Sequence, residues 1–247
     1  MIEINSRNNE KIKNIIKLKQ KKYRDASGFF LVEGIKVLKE AIKSDYKVEN
    51  IIVTKNAFDK YKKFLQEFNN IIIKISSNIV NDLKASVTSP EIFAVVKKVE
   101  KKLDNSNFII LDNIQDPQNL GAIFRICAAT GFKNVLLLNC VDSFSEKTIR
   151  ASMGNIFKLN LKNCTLDELK MYCKNKEVYS ADLNGENIFK IQKPSFQFGV
   201  IFGNEGNGVS DEVNKLATKF ITIPMKNGVE SLNVSVSAGI ILFNLTN

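Results

Sequence analysis

Three clusters of polar residues and glycines have the types and spacing of a ligand-binding site. The first is DNIQDPQNLGAIFR at 112–125, in which Asn119, Gly121 and Arg125 follow a proline that blocks helix extension toward the N-terminus. An arginine on an otherwise apolar helix is either an edge residue that reaches water or a cation aimed at a ligand. The cluster therefore offers one amide and one guanidinium as candidate functional groups.

The second cluster is the glycine-rich loop IFGNEGNGVS at 201–210, which contains Glu205. Its spacing G-x-x-G-x-G differs from the dinucleotide pattern G-x-G-x-x-G, and no Lys-Ser or Lys-Thr follows as in a phosphate-binding P-loop. The loop can still present backbone N–H and C=O groups to a flat ligand. Glu205 is either a solvated loop carboxylate or a site residue.

The third cluster is IPMKNGVESLNVSVSAGIILF at 223–243, in which Ser231 and Asn233 precede the last helix. Both residue types cap helix N-termini well. Capping explains one of them more easily than it explains both.

The composition excludes several kinds of chemistry. The chain has no histidine, which removes His general bases, Ser-His and Cys-His nucleophiles and nearly all zinc sites. Its four cysteines form no C-x-x-C pair and are typical of reduced cytosolic thiols, and no metal-ligand set is visible. The remaining groups favour a reaction that depends on orientation and hydrogen bonding, such as group transfer from an activated donor. S-adenosylmethionine is such a donor, because its sulfonium makes methyl transfer strongly downhill.

The elements predicted around the clusters form a parallel sheet. Short apolar runs at Phe108–Leu111, Phe198–Phe202 and Phe220–Ile223 are each followed by one cluster, and helical periodicity follows at Leu120–Thr130, closed by Gly131. Ligands of such α/β sheets bind beyond the carboxyl ends of the strands. Further predictions are a strand near 157–159, a helix at 208–216 and a final helix at 234–245 that is apolar on more than one face.

A second, smaller α/β module precedes this one. Strand and helix patterns alternate from residue 8 to residue 96, including a helix near 57–68, and a polar, non-periodic stretch follows at 97–107. We therefore expect two domains, at 1–100 and 106–247. The net charge of +10 lies entirely in residues 1–103, which suggests a basic module that holds a polyanion, although lysine-rich genome bias would give the same excess. The longest apolar stretches are too short to span a bilayer.

The three clusters, in this order and spacing, resemble the three motifs of the SpoU (TrmH-like) RNA ribose 2′-O-methyltransferases of the SPOUT superfamily. The resemblance rests on DPxNxGAxxR, FGxExxG and IPMxxxxxSLNVSV and extends from Phe108 to the C-terminus. The first hundred residues resemble, less strongly, the family's small ribosomal-protein-like substrate-binding domain, most clearly at FFLVEGIKVLKEAI, 29–42.

The resemblance implies an α/β trefoil-knot methyltransferase domain that binds S-adenosylmethionine without a metal and forms a homodimer. It implies a catalytic group of Arg125, Asn119, Glu205, Ser231 and Asn233. It implies that the cofactor lies against Gly203, Ile223, Met225, Leu232, Phe202 and Gly208. Arg125 is expected on the RNA side, and Glu205 is expected to hold the site together by pairing with Arg125 or by accepting from backbone N–H groups.

The expected substrate is RNA in the cytoplasm, and 23S ribosomal RNA is favoured over tRNA. Two other classes remain open at this point. One is a non-catalytic RNA-binding or ribosome-assembly protein on the same fold, which the intact Arg125, Glu205 and Asn233 disfavour. The other is a flavodoxin-like nucleotide binder, which the glycine spacing disfavours.

Overall fold

A computed structural model describes residues 1–85 and 89–246 of the chain. It divides into two compact units. The first comprises Met1–Val99 together with Phe144–Phe157, and the second comprises Glu100–Ser143 together with Lys158–Asn247.

The described residues contain both strands and helices, in alternation. The strands are β1 (Ile2–Ile4), β2 (Phe29–Glu33), β3 (Val48–Thr54), β4 (Ile72–Ile75), β5 (Ile92–Lys97), β6 (Phe108–Asp112), β7 (Asn134–Leu138), β8 (Asn160–Asn163), β9 (Glu177–Asn187), β10 (Phe198–Phe202) and β11 (Lys219–Thr222). The α-helices are α1 (Glu10–Lys17), α2 (Lys21–Ser27), α3 (Ile35–Ile42), α4 (Lys55–Lys60), α5 (Lys62–Leu65), α6 (Ser77–Leu83), α7 (Pro117–Thr130), α8 (Glu146–Ala151), α9 (Leu166–Cys173), α10 (Asp211–Asn214) and α11 (Val234–Thr246).

The first unit is built on a five-stranded mixed sheet in the order β1-β4-β3-β5-β2. Asn9 caps α1 by accepting a hydrogen bond from the Lys11 N–H, and the helix buries Ile12 and Ile15 against the sheet. The opposite side of α1 carries lysines. The amphipathic pattern of the sequence therefore fixes which side of this helix is buried.

The segment Phe144–Phe157 belongs to the core of the first unit. The ring of Phe30 in β2 lies 4.8 Å from that of Phe144 and 6.2 Å from that of Phe157, measured between ring centroids. Ile149 and Phe157 are almost completely buried. The predicted second domain, 106–247, included this segment. The division seen in the structure differs there because these apolar side chains are covered by the sheet of the first unit.

The second unit is built on a six-stranded parallel sheet in the order β11-β9-β10-β6-β7-β8. All residues of β6 and β10 are buried, as expected for central strands that are covered on both faces. Since the strands are parallel, their carboxyl ends meet at one edge of the sheet. The α/β class and the parallel sheet predicted from the sequence are confirmed.

Three local predictions were wrong. The helix expected at 57–68 is interrupted, because Tyr61 has φ −111° and ψ 19°, outside the helical region. The strand expected near 157–159 begins only at Asn160, since the polar edge strand β8 (NLKN) has no apolar alternation to mark it. The helix expected at 208–216 is reduced to α10, because the glycine-rich loop extends to Ser210. Within the described ranges, no helix is long and apolar enough to span a membrane.

Candidate active site

The three polar clusters meet at the carboxyl edge of the parallel sheet in the second unit. They follow β6, β10 and β11 directly. This is the place where α/β sheets bind their ligands, and it explains why clusters far apart in the sequence come together.

The first cluster is held by the N-terminus of α7. Asp116 caps the helix by accepting from the Gln118 N–H at 2.8 Å, and Pro117 occupies the first helical turn, where its missing N–H costs nothing. The helix ends at Gly131, which has φ +82°, as predicted. The cap and the proline fix the start of the helix and place Asn119 in its first turn.

The Asn119 amide joins all three clusters. Its Nδ2 donates to Glu205 Oε1 at 2.9 Å, and its Oδ1 accepts from Asn233 Nδ2 at 2.9 Å. Asn119 is buried, with 8% of its surface exposed. A buried amide needs partners for both its donor and its acceptor, and here they come from the other two clusters.

Glu205 accepts hydrogen bonds from the first cluster and is not paired with Arg125. Besides Asn119, the Asp116 N–H donates to Oε1 at 3.4 Å. Desolvation is the largest single influence and raises the pKa of Glu205. The hydrogen bonds from Asn119 and from the backbone N–H groups of Glu205, Asp116 and Gln115 together outweigh it, and the pKa lies below its ordinary value. Glu205 is therefore ionised at neutral pH.

The glycine-rich loop is stabilised by Asn204, which sequence analysis missed. Its Oδ1 accepts from the N–H groups of Gly206 and Asn207, and its Nδ2 donates to the Asn113 carbonyl at 2.9 Å. A Cβ on Gly203 would lie 2.1 Å from the backbone carbon of Gly208, so only glycine fits there. An asparagine before such a loop is a turn signal that could have identified it.

Asn233 caps α11, as the sequence suggested for one of the two residues. Its Oδ1 accepts from the Ser235 N–H at 2.9 Å and from the Ser235 hydroxyl at 2.6 Å. Ser231 is exposed, and its side chain has no hydrogen-bond partner among the residues that the structure describes. Capping thus accounts for Asn233 and leaves the Ser231 hydroxyl available to a ligand.

A cavity of about 490 Å³ opens between the second and third clusters. The structure brings to it all six residues expected around a cofactor, together with Glu205 and Ser231. Those six are Phe202, Gly203, Gly208, Ile223, Met225 and Leu232.

One wall of the cavity is a segment that sequence analysis missed, residues 181–184. Phe220 of β11 pairs with Ser180 of β9, but the next residue, Ile221, pairs with Glu186. The segment of β9 between these two pairs therefore leaves the sheet and reaches the cavity. A Cβ on Gly185 would lie 2.4 Å from the Ile221 nitrogen, so the return to the sheet requires glycine. The turn-like letters DLNG inside an apolar strand pattern were the available signal.

The cavity is acidic. Its described lining contains the carboxylates of Asp182, Glu205 and Glu230 and no lysine or arginine. Such a lining favours a ligand with net positive charge. The described residues also contain no group of three His, Cys, Asp or Glu side chains that could hold a metal ion.

Arg125 lies apart from this lining. It is exposed on α7, and within 1–85 and 89–246 its guanidinium has no hydrogen bond or ion pair. The structure therefore does not contain the expected pairing of Arg125 with Glu205. It does contain the other expected contact, in which Glu205 accepts a hydrogen bond from a backbone N–H group.

Comparison with known proteins identifies the family. The profile of the SpoU rRNA Methylase family matches residues 106–243, and that of the MRM3-like substrate binding domain matches residues 9–94. The chain belongs to the SpoU rRNA methylase family. The predictions of family membership and of an RNA methyltransferase are confirmed.

Three of the known relatives match this SpoU family chain over two thirds of its length or more. The 23S rRNA (guanosine(2553)-2′-O)-methyltransferase RlmP of Bacillus subtilis is 31% identical over 99% of each chain. The 23S rRNA (adenosine(1067)-2′-O)-methyltransferase of Streptomyces laurentii is 30% identical over 68% of this chain and 66% of its own. The AdoMet-bound rRNA methyltransferase of Sinorhizobium meliloti shares the fold with a TM-score of 0.87, at 23% identity over 99% of this chain and 97% of its own.

Proposed function

We propose that the protein transfers a methyl group from S-adenosylmethionine to a ribose 2′-OH of 23S ribosomal RNA. The observation that carries this proposal is the acidic cavity at the carboxyl edge of the sheet, next to the hydrogen-bond chain from Glu205 through Asn119 to Asn233. The activities of the Bacillus subtilis and Streptomyces laurentii relatives support the 2′-O position and the 23S target.

The cavity fits the cofactor by size and by charge. Small-molecule sites occupy about 300–1,000 Å³, a range that includes this cavity. S-adenosylmethionine carries a sulfonium and an ammonium, which are suited to a lining whose described residues include three carboxylates and no cation. Phe202, Ile223 and Leu232 would hold the adenine between apolar groups, while backbone groups near Gly203 and Gly208 bind its polar edge.

When bound, the cofactor would supply a methyl group on a positively charged sulfur. The bond from this sulfur to the methyl carbon breaks as the 2′-oxygen forms the new C–O bond, and the sulfur is left as a neutral thioether. The chain must orient the ribose for in-line attack and stabilise the oxygen as it loses its proton. Ser231, whose hydroxyl is exposed at the cavity, is placed to orient the ribose.

Arg125 acts on the RNA side. A guanidinium has a pKa above about 12 and does not serve as a base at neutral pH. It stabilises the developing oxyanion or the adjacent phosphate, and the proton passes to water or to a phosphate oxygen. Its exposed position and its lack of partners among the described residues suit a contact with RNA.

Asn119, Glu205 and Asn233 are positioning residues. Asn119 is buried, and its amide is hydrogen-bonded to Glu205 and Asn233, so it fixes the positions of the three clusters relative to one another. Ionised Glu205 adds negative charge to the wall of the cavity and fixes the glycine-rich loop.

The assembly that we propose is a cytoplasmic homodimer. The first unit, which includes Phe144–Phe157, binds RNA, and the second unit forms the methyltransferase domain, whose loops close a trefoil knot. Val236 and Phe243 on α11 are half-exposed apolar residues, at 50% and 46%, and would be covered by a second copy.

Two measurements test the proposed function. Isothermal titration should show one S-adenosylmethionine bound per chain in the presence of EDTA. Primer extension on 23S RNA from a deletion strain should show the loss of one ribose methylation. Absence of cofactor binding, or an unchanged methylation map, would refute the proposal.

A further inference from the structure

A second groove, of about 640 Å³, lies in the first unit and shares no residue with the cavity described above. It runs between α1 and the neighbouring strands β2, β3 and β5. Its floor is apolar, formed by Ile15, Leu18, Phe29 and Val95.

The rim of the groove carries groups that can recognise a nucleobase. Asn14, Ser27 and Asn50 provide amide and hydroxyl groups, Lys11 provides a cation, and the carboxylates of Glu10 and Glu49 also line the groove. Amides pair with the hydrogen-bonding edges of unpaired bases, while an aromatic floor stacks against their faces. The partly buried Phe29 is the aromatic group of this floor.

An irregularity in the sheet places Asn50 at the rim. Val48 pairs with Val96 and Asn50 pairs with Val95, so Glu49 is an extra residue in β3. Bulges of this kind redirect side chains and are enriched next to functional sites. The Glu49 carboxylate is 3.3 Å from Lys47 Nζ, which offsets its charge at the rim.

A basic and aromatic surface continues from the groove along α1. Lys17 Nζ donates to Asn14 Oδ1 at 3.2 Å. Two lysines lie over the ring of Tyr23: Lys17 Nζ is 5.8 Å from the ring centre, and Lys22 Nζ is 4.8 Å from it. Residues 11–24 contain six lysines and no acidic residue, while Arg24 is buried and donates to the Leu18 carbonyl. Stacking rings alternating with cations are typical of surfaces that bind single-stranded nucleic acid.

We infer that this groove binds an unpaired nucleotide of the RNA substrate, with the flanking strand running along α1 to Tyr23. The base stacks on Phe29, its edge meets Asn14 and Asn50, and Lys11 and Lys17 contact phosphates. This inference rests on the proposed function, since it takes RNA as the substrate. The inference predicts that the first unit recognises the bases of a single-stranded RNA loop as well as the phosphate charge that an RNA duplex also carries.

The test compares two matched pairs of substitutions in the full chain. Lys11→Ala/Lys17→Ala alters the groove and the adjoining surface of α1, and Lys62→Ala/Lys63→Ala removes the same charge from exposed positions in α5. The probes are a fluorescent 12-nucleotide oligouridylate and an RNA duplex of 12 base pairs. Fluorescence anisotropy across a salt series gives the affinity and its salt dependence.

The groove pair should weaken binding of the single strand about tenfold near physiological salt and lower its salt slope by about 1.4, the value for two lost phosphate contacts. The control pair should have a much smaller effect. Tyr23→Ala should weaken binding of the single strand and leave binding of the duplex unchanged. Photo-crosslinks from 4-thiouridine should fall on residues of α1, α2 or β2.

Equal effects of the two lysine pairs, or crosslinks that fall neither on the groove nor on α1 and α2, would overturn the inference. Cofactor titration and methyl transfer to 23S RNA are measured on the same wild-type protein. If the wild-type protein methylates 23S RNA normally and the two lysine pairs weaken single-strand binding equally, only the role of the groove is rejected. If cofactor binding and methylation are absent, the proposed function fails, and the binding data still decide whether the groove holds RNA.

Discussion

At the scale of single residues, Arg125 is the side chain whose substitution separates catalysis from cofactor binding. It lies outside the cavity lining and has no partner within the described residues, so Arg125→Ala should leave the affinity for S-adenosylmethionine unchanged. The rate of methyl transfer should fall about 10²–10³-fold, the effect of removing one preorganised electrostatic group. Single-turnover kinetics and calorimetry measure the two quantities. Normal turnover in the variant would reject the role assigned to Arg125.

Asn119 gives a residue-scale prediction about ionisation. Asn119→Ala removes a donor that lowers the pKa of Glu205, so that pKa should rise toward its ordinary value of about 4.5. Because the pKa of Glu205 is lowered in the folded protein, its ionised form stabilises the fold above that ordinary value, and this stabilisation is lost as the pH falls through the folded pKa. The variant should therefore lose less stability in acid. Carbon-13 NMR titration of the Glu205 carboxyl checks this, and an unchanged pKa would contradict it.

At the scale of elements, the glycine-rich loop offers a matched pair of substitutions. Gly203→Ala places a Cβ 2.1 Å from Gly208 and must displace the loop, so cofactor affinity should fall about tenfold or more. Gly206→Ala meets only Asn204 Oδ1, at 3.5 Å, and should bind the cofactor normally. Calorimetry on both variants tests whether this close approach shapes the cavity. Equal affinity in the two variants would show that it does not.

The elements also show what could be predicted from the sequence. Strand β6 is apolar up to its last residue, Asp112, and β10 contains no polar side chain. Pro117 and Gly131 mark the two ends of α7, so local patterns were enough to predict the sheet and the edge that carries the site. The wall at 181–184 was not predicted, because it depends on a pairing jump between β9 and β11 that no local pattern encodes.

The segment Phe144–Phe157 shows a second limit of sequence analysis. Its apolar residues predict burial but not which sheet will cover them. The covering residue, Phe30, is more than a hundred positions away in the chain. The hydrogen bonds that link Asn119 to Glu205 and Asn233 were likewise not predicted, although all three residues had been selected as site residues.

At the scale of the whole molecule, the proposed dimer predicts the effect of a charge on α11. Val236 is 50% exposed, so Val236→Asp should leave the fold of the chain intact while opposing burial against a second copy. Met171, 79% exposed on α9, gives the control substitution Met171→Asp. Analytical ultracentrifugation should show dimers for the wild-type protein and for Met171→Asp, and monomers for Val236→Asp. A wild-type protein that sediments as a monomer would refute the dimer.

The most direct test of the proposed activity is the chemical position of the transferred methyl group. Purified protein is incubated with 23S RNA and S-adenosylmethionine carrying an isotope-labelled methyl group, and the digested nucleosides are separated by mass spectrometry. We predict label in one 2′-O-methylnucleoside with the wild-type protein and almost none with Arg125→Ala. Label on a base, or equal ribose methylation by the two proteins, would contradict the proposed reaction at this site.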